Sequence, residues 1–351
     1  MNATTVAVDL AKNVFQLAIV DEQWRVIGRE RLTRSQFERW FANRQVRLIV
    51  MEACGSAYHW ARTFQARGIE VRLLPAHYVR AYVKRSKTDA ADAFALLEAA
   101  RASDIKPVAV KSIEQQALQG LHRTREAWKS TRTRRINTLR GLCREFGLVV
   151  PEGAVTGIAQ IARFLADEQS AIPALLRPSM RLMLEEIRLL EARIGQLEQC
   201  LGKVAQENPA CQELTSVPGI GLITSTAMVA AVGDPRSFIS GRRYASFLGI
   251  TPREYSSGEH RYLGRISKRG DRYIRMLLVH GARSVLRSAS VARRMGRPVD
   301  KLKSWALAVQ ARTNHNKAAC ALANKLARIA WAVWVKHEHY RSEAMPATTG
   351  A

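Results

Sequence analysis

Several large protein classes are excluded by what this sequence lacks. Its five cysteines, Cys54, Cys143, Cys200, Cys211 and Cys320, are odd in number and widely spaced, with no Cys-x-x-Cys pair. That pattern argues against zinc and against a disulfide framework, and points to a reducing cytoplasm. No apolar run approaches the roughly 18 to 20 residues of a membrane-spanning helix. The opening MNATTVAVDLAKNVF has neither the basic region nor the apolar core of a signal peptide, and reads as an early strand. There is no Gly-x-x-x-x-Gly-Lys-Ser/Thr loop, no internal repeat and no low-complexity tract. Acid is also scarce: 30 Asp+Glu stand against 55 Lys+Arg, a formal charge of +25. Such an excess favours a polyanionic partner, most simply nucleic acid, with a membrane surface as the other candidate.

What is present divides along the chain. The 351 residues, 47% of them hydrophobic, suffice for two or three domains with real cores. TTVAVDL, VFQLAIVD and WRVIGRERL predict three strands in an antiparallel meander. The amphipathic helix RSQFERWFANR follows, then a strand VRLIVME ending at Glu52. A helix SAYHWARTFQARG closes at Gly68, and a strand IEVRLLP stops at Pro75. Next comes KRSKTDAADAFALLEAA, whose alanine-rich second half predicts a helix with Asp89 and Asp92 in its first turn. From about residue 112 no strand is predicted. Residues 112–147 form one long basic helical pattern, and 155–175 read as shorter helices in a polar hairpin. A heptad then runs through Met180, Met183, Ile187, Leu190, Ile194, Leu197, Leu201 and Val204. Its 3-4 spacing describes a coiled-coil seam, serving either an intramolecular helical hairpin or a contact between copies. The expected division is 1–110 (α/β), 111–206 (basic helix and coiled coil), 207–338 (mainly α) and 339–351 (disordered tail).

Four carboxylates fall at element ends. Asp9 follows VAV at the end of the first strand, and Glu52 follows LIVM at the end of the fourth. Asp89 and Asp92 are spaced i, i+3 on a helix soon after the fifth. Strand ends of one sheet edge are where α/β sites collect. Taken singly, each acid has a plainer role as a turn cap, an arginine partner, or a helix N-cap complementing the macrodipole. Clustered, they would repel unless cations neutralised them, and Mg²⁺ with its oxygen ligands is the natural partner. Two such ions about 4 Å apart would serve phosphodiester chemistry.

This ordered set resembles the RuvC-like, ribonuclease-H-type fold with a DEDD tetrad. VAVDLAKNVFQLAIVD, VMEACGSAYHWAR and SKTDAADAFAL are similar to the DEDD transposases of bacterial insertion sequences, a family understood as bridge-RNA-guided recombinases. The resemblance implies Asp9, Glu52, Asp89 and Asp92 as Mg²⁺ ligands. Because LGITPREYSSGEHRYLGRISKRGDRYIR resembles the family's C-terminal transposase domain, the likeness spans almost the whole chain. There a serine attacks the DNA backbone and becomes covalently linked to it. The family's Ser-Gly pair matches Ser257-Gly258, so Ser257 is the implied nucleophile, with Ser240 (also before glycine) and Ser256 as fallbacks. By local sequence alone Ser257 is an ordinary turn serine. A guide RNA is implied by the resemblance only.

The rest of the C-terminal half fits nucleic acid. Pro218-Gly219-Ile220-Gly221 resembles the turn of a helix-hairpin-helix, where Gly219 and Gly221 would let backbone N–H groups approach a phosphate. Arg242, Arg243, Arg265, Lys268, Arg269 and Arg272 lie in an aromatic-interleaved basic stretch suited to backbone phosphates. In the long helix, Arg132, Arg134, Arg135 and Arg140 suit RNA or DNA equally. Recombination of two ends requires at least a dimer and favours a tetramer, with the heptad as the contact. Competing functions are a metal nuclease that uses water, a non-catalytic nucleic-acid scaffold, and a sugar-kinase or actin-like ATPase. The missing glycine-rich phosphate loops weigh against the last.

Overall fold

The computed structural model describes residues 5–42, 44–83 and 89–342, the side chains of residues 89 and 90 excepted. The chain forms two compact units, Met1–Ile113 and Glu114–Ala351.

The first unit is mixed α/β. Its strands are β1 (Thr5–Leu10), β2 (Val14–Val20), β3 (Val26–Thr33), β4 (Leu48–Glu52) and β5 (Glu70–Leu74). Its helices are α1 (Arg34–Trp40), α2 (Ala57–Gln65), the single turn α3 (Ala76–Val79) and α4 (Asp89–Arg101). The sheet order is β3-β2-β1-β4-β5, with β1, β2 and β3 antiparallel and β1, β4 and β5 parallel. Strands β1 and β4 are buried on both faces, which is why VAV and LIVM read as continuous apolar runs. One face packs Val6, Val8, Ile49 and Met51 against Phe37, Trp60 and Phe64 of α1 and α2. The other packs Ala7, Val50 and Leu74 against Ala93, Leu96 and Leu97 of α4. Residues 84–88, which precede Asp89 in the KRSKTDAADAFALLEAA stretch, lie outside the described residues.

The second unit is mostly helical: α5 (Ile113–Glu145, beginning at the junction), α6 (Ala154–Ala166), α7 (Arg177–Glu207), α8 (Pro209–Thr215), α9 (Leu222–Val232), α10 (Gly241–Phe247), α11 (Arg272–Arg294), α12 (Lys301–Arg312) and α13 (His315–Lys336). Helices α5 and α7 run antiparallel, as their ion pairs Arg125–Glu198, Arg132–Glu191 and Arg135–Glu186 require. The apolar stripe of α7 is Met180, Leu184, Ile187, Leu190, Ile194, Leu197 and Leu201. Met183 is only half-buried, so the stripe drifts towards the 3.6-residue helical period. Met180, Leu184 and Ile187 pack on Ile136, Leu139 and Cys143 of α5, and Leu201 on Leu118. The stripe therefore closes within the chain.

The structure corrects four further expectations. Residues 155–175 hold one helix, not several. The loop after it wraps the buried Arg177 guanidinium, which donates to the carbonyls of Asp167, Glu168, Ser170 and Ile172. Strands do return after residue 112, as a hairpin of β6 (Pro252–Glu254) and β7 (Leu263–Ile266). By length and composition α13 could cross a membrane, but its Ala319, Leu322, Leu326, Ala330 and Trp334 belong to the core shared with α8 to α12. Finally, Tyr340 is tied to the unit by its N–H to the Ser216 hydroxyl (2.8 Å), so the tail is anchored that far. Residues 343–351 lie outside the described residues.

Candidate active site

The register of β1 on β4 decides where the first two carboxylates stand. Val8 pairs with Met51, so Asp9 and Glu52 follow at the carboxyl ends of adjacent parallel strands. Both are half-buried. The end of β4 is held by the Ala53 N–H donating to the Leu74 carbonyl (2.8 Å). Asp89 opens α4, and its side chain lies outside the described residues; Asp92 is half-buried in the first turn. Among the described residues, no three His, Cys, Asp or Glu side chains are grouped to hold a metal ion. The structure brings Asp9 and Glu52 together at one sheet edge and sets Asp92 near the start of the helix packed on that sheet.

In the second unit, Ser257 stands at the base of a two-residue turn. Ser257 and His260 exchange backbone hydrogen bonds of 3.2 and 3.1 Å, leaving Gly258 and Glu259 at the tip. Gly258 has φ +56°, as the first central residue of the hairpin turn that matches strand twist demands. Ser257 is exposed, and among the described residues its hydroxyl has no hydrogen-bond partner. The fallback serines are engaged. Ser240 caps α10, its hydroxyl accepting the Arg243 N–H at 3.3 Å. Ser256 donates to Glu254 Oε1 at 2.9 Å and accepts the Tyr262 N–H at 3.3 Å.

The residues 6–147 match a DEDD transposase model of the IS110 type, and 211–296 match the transposase model of the IS116/IS110/IS902 family. The chain is 41% identical to a probable family 20 transposase of Pseudomonas aeruginosa, over 97% of this chain and 99% of that protein. It is 39% identical to the transposase for insertion sequence element IS1111A of Coxiella burnetii, over 96% and 91%. The chain belongs to the IS110 family of insertion-sequence transposases. A more distant relative, the pilin gene-inverting protein of Moraxella bovis, is 25% identical over 74% of this chain and 75% of its own length. As a transposase the chain acts on DNA, and membership of a DEDD family suggests use of a divalent metal.

This transposase separates its cations into two populations. On α5, Arg132 and Arg135 are paired to Glu191 and Glu186, at 3.3 and 2.6 Å. Arg140 Nη2 donates to the carbonyls of Pro151 and Gly153. Of the four arginines expected to meet nucleic acid there, only Arg134 is exposed without a side-chain partner among the described residues. Arg242, Arg243, Arg265, Lys268, Arg269 and Arg272, in contrast, are all exposed, with no ion pair or side-chain hydrogen bond among the described residues. Their neighbours Arg253, Arg261, Arg275 and Arg283 are each tied to protein acceptors. Gly219 (φ +80°) is pressed against α11, where a Cβ would stand 2.8 Å from the Gly281 carbonyl oxygen. Packing thus accounts for that glycine, while Gly221 remains exposed at the start of α9. Sequence reading passes over Glu254, Tyr255 and Tyr262; the signal for them is a Ser-Gly turn centred between two tyrosines.

Proposed function

We propose that this transposase cuts and rejoins DNA through a serine–DNA covalent intermediate. In this mechanism Ser257 is the nucleophile, and Asp9, Glu52, Asp89 and Asp92 of a RuvC-like domain hold Mg²⁺, as two ions. The observation that carries the proposal is the pairing of Asp9 and Glu52 on adjacent strand ends, half-buried at one sheet edge. All four donors are carboxylates, a hard oxygen set with no His or Cys, which fits a hard cation. Bound there, the metal would neutralise phosphodiester charge and favour ionisation of an attacking hydroxyl.

The chain's own residues supply the rest. The exposed Ser257 hydroxyl attacks phosphorus; an Oγ–P bond forms as the P–O bond to the adjoining deoxyribose breaks. The departing oxygen leaves as a hydroxyl, taking up a proton as the serine gives one up. Rejoining reverses the exchange with another strand end, so the bond energy is kept and no ATP is needed. The six exposed cations and Arg134 are assigned to backbone phosphates, and the N-terminal end of α9 at the exposed Gly221 to a further one. A relative named for inverting a pilin gene favours cutting and rejoining over simple hydrolysis. A bridge RNA is assigned as the guide on family resemblance. The protein acts in the bacterial cytoplasm at the nucleoid, as a dimer or tetramer. With the buried stripe of α7 turned to α5, the exposed Leu182 and Leu189 are the apolar residues of that helix left for a contact between copies.

Covalent trapping tests this. Protein, Mg²⁺, candidate guide RNA and labelled junction DNA are incubated, and the products are resolved on a denaturing gel. The expected result is an adduct mapping to Ser257 and absent in Ser257→Ala. Asp9→Ala and Asp92→Ala are expected to abolish cleavage while binding persists; retained cleavage removes the metal-site assignment. An adduct at Ser240 or Ser256 corrects the nucleophile. Cleaved DNA with no adduct identifies a metal nuclease using water.

A further inference from the structure

The β6–β7 hairpin carries two tyrosines that its own packing does not cover. Tyr255 and Tyr262 face each other across the hairpin, the Tyr255 N–H donating to the Tyr262 carbonyl at 2.9 Å. Their ring centroids lie 6.2 Å apart, and the residues are 59% and 65% exposed. Large aromatic rings normally bury most of their surface, so a bare cross-strand pair is unusual. The pair is also held in place. A Cβ at Gly264 would stand 3.1 Å from Tyr255 Cε2, so the missing side chain lets that ring lie against β7. Glu254 accepts from the Ser256 hydroxyl at 2.9 Å and from Arg261 Nε at 3.0 Å, bracing both arms of the turn. The Tyr262 N–H in turn donates to the Ser256 hydroxyl.

The surroundings identify what would cover the rings. Arg265, Lys268 and Arg269 follow closely in the chain, exposed and without acidic partners among the described residues. A protein partner would have to match a strongly cationic rim. A polynucleotide brings phosphates for the cations and flat bases for the rings, which is the composition of a single-strand stacking surface. An intact duplex hides its base faces and could use the cations only.

We propose that Tyr255 and Tyr262 form a stacking platform for an unpaired nucleobase, holding a strand beside Ser257. The role at the reacting phosphate rests on the assignment of Ser257 above; the binding role does not, so the test reads binding without cleavage. Full-length Tyr255→Ala, Tyr262→Ala and the corresponding Phe variants would be titrated against short labelled oligonucleotides: single-stranded DNA, single-stranded RNA, intact duplex DNA, and duplex DNA with one mismatch. Each Ala variant is expected to weaken single-strand binding about tenfold, leaving intact duplex within about threefold, with Phe restoring affinity. Loss confined to DNA, or to RNA, identifies which strand supplies the base; an effect on the mismatched duplex but not the intact one places that base in unpaired DNA. Unchanged affinity for both single strands overturns the platform, as does equal loss on intact duplex, or a Phe variant as defective as Ala. If the platform fails while Ser257→Ala still abolishes the adduct, the transposase mechanism stands without it. If tyrosine-dependent binding is found but no adduct forms, the mechanism fails and the platform stands.

Discussion

The two arginine-rich regions of this protein differ in where their charge is directed. Helix α5 looks basic on two faces in sequence, yet Arg125, Arg132 and Arg135 turn inward to glutamates of α7, and Arg140 to backbone carbonyls. Over residues 242–272, six cations point to solvent with no carboxylate partner among the described residues. The first set joins two helices; the second offers a surface to a polyanion. A count of Lys and Arg cannot separate these uses, because only the position of the glutamates does so.

Four experiments would break or sharpen that contrast. The largest effect is expected at the inner face of α5, where His122 is buried between Thr226 (3.1 Å) and Tyr273 (3.3 Å). Desolvation, and then the nearby Arg125 charge, lower its pKa from 6.5 to about 4. Because the folded value lies below the unfolded one, the unfolded chain binds the proton more readily. Stability is therefore intact above about pH 6.5 and falls as the pH drops, by about 2 kcal/mol at pH 5 and about 3 at pH 4. Urea unfolding across that range should show the slope, and His122→Gln should flatten it above about pH 5.

Next, Arg125→Ala should cost about 2 kcal/mol of stability, since it strands Glu198 beside the helix pair, while leaving the salt dependence of DNA binding unchanged. A parallel drop in the salt slope would show that α5 also meets nucleic acid through this arginine. The third effect concerns the outer set. Arg265→Ala/Arg269→Ala should reduce the slope of log K against log salt by about 1.8 on duplex DNA, with thermal stability held. An unaltered slope would remove those residues from the phosphate contacts. The smallest expected effect separates neighbours: Arg134→Ala should lower the slope by about 0.9, whereas Arg135→Ala should not change it. Equal behaviour of the two would erase the distinction between paired and open arginines.

The carboxylate ends were legible because β1 and β4 are buried on both faces, and continuous apolar runs ending in Asp9 and Glu52 announce such strands. The stripe of α7 was legible as a helix face, but not its partner, since α5 and a second copy would present the same apolar chemistry. The hairpin around Ser257 was not legible. Its strands are three and four residues long and mostly exposed, so no alternation of apolar and polar residues marks them. The glycine at 219 carried a phosphate-binding expectation, although its contact with Gly281 of α11 already explains it.

By itself, the sequence determined the family, the α/β-then-helical order, the strand ends bearing Asp9 and Glu52, and the excess of positive charge. These are local or compositional properties: periodicity, turn chemistry and residue counts are complete in the chain before it folds. The tertiary structure alone decided which arginines are neutralised, that the α7 stripe closes on α5, that Ser257 is exposed while Ser240 and Ser256 are engaged, and that two tyrosines stand uncovered beside it. Apart from the local cap at Ser240, each of these depends on a partner distant in sequence or on a turn too short to leave a pattern, and burial and pairing are settled only when those partners meet.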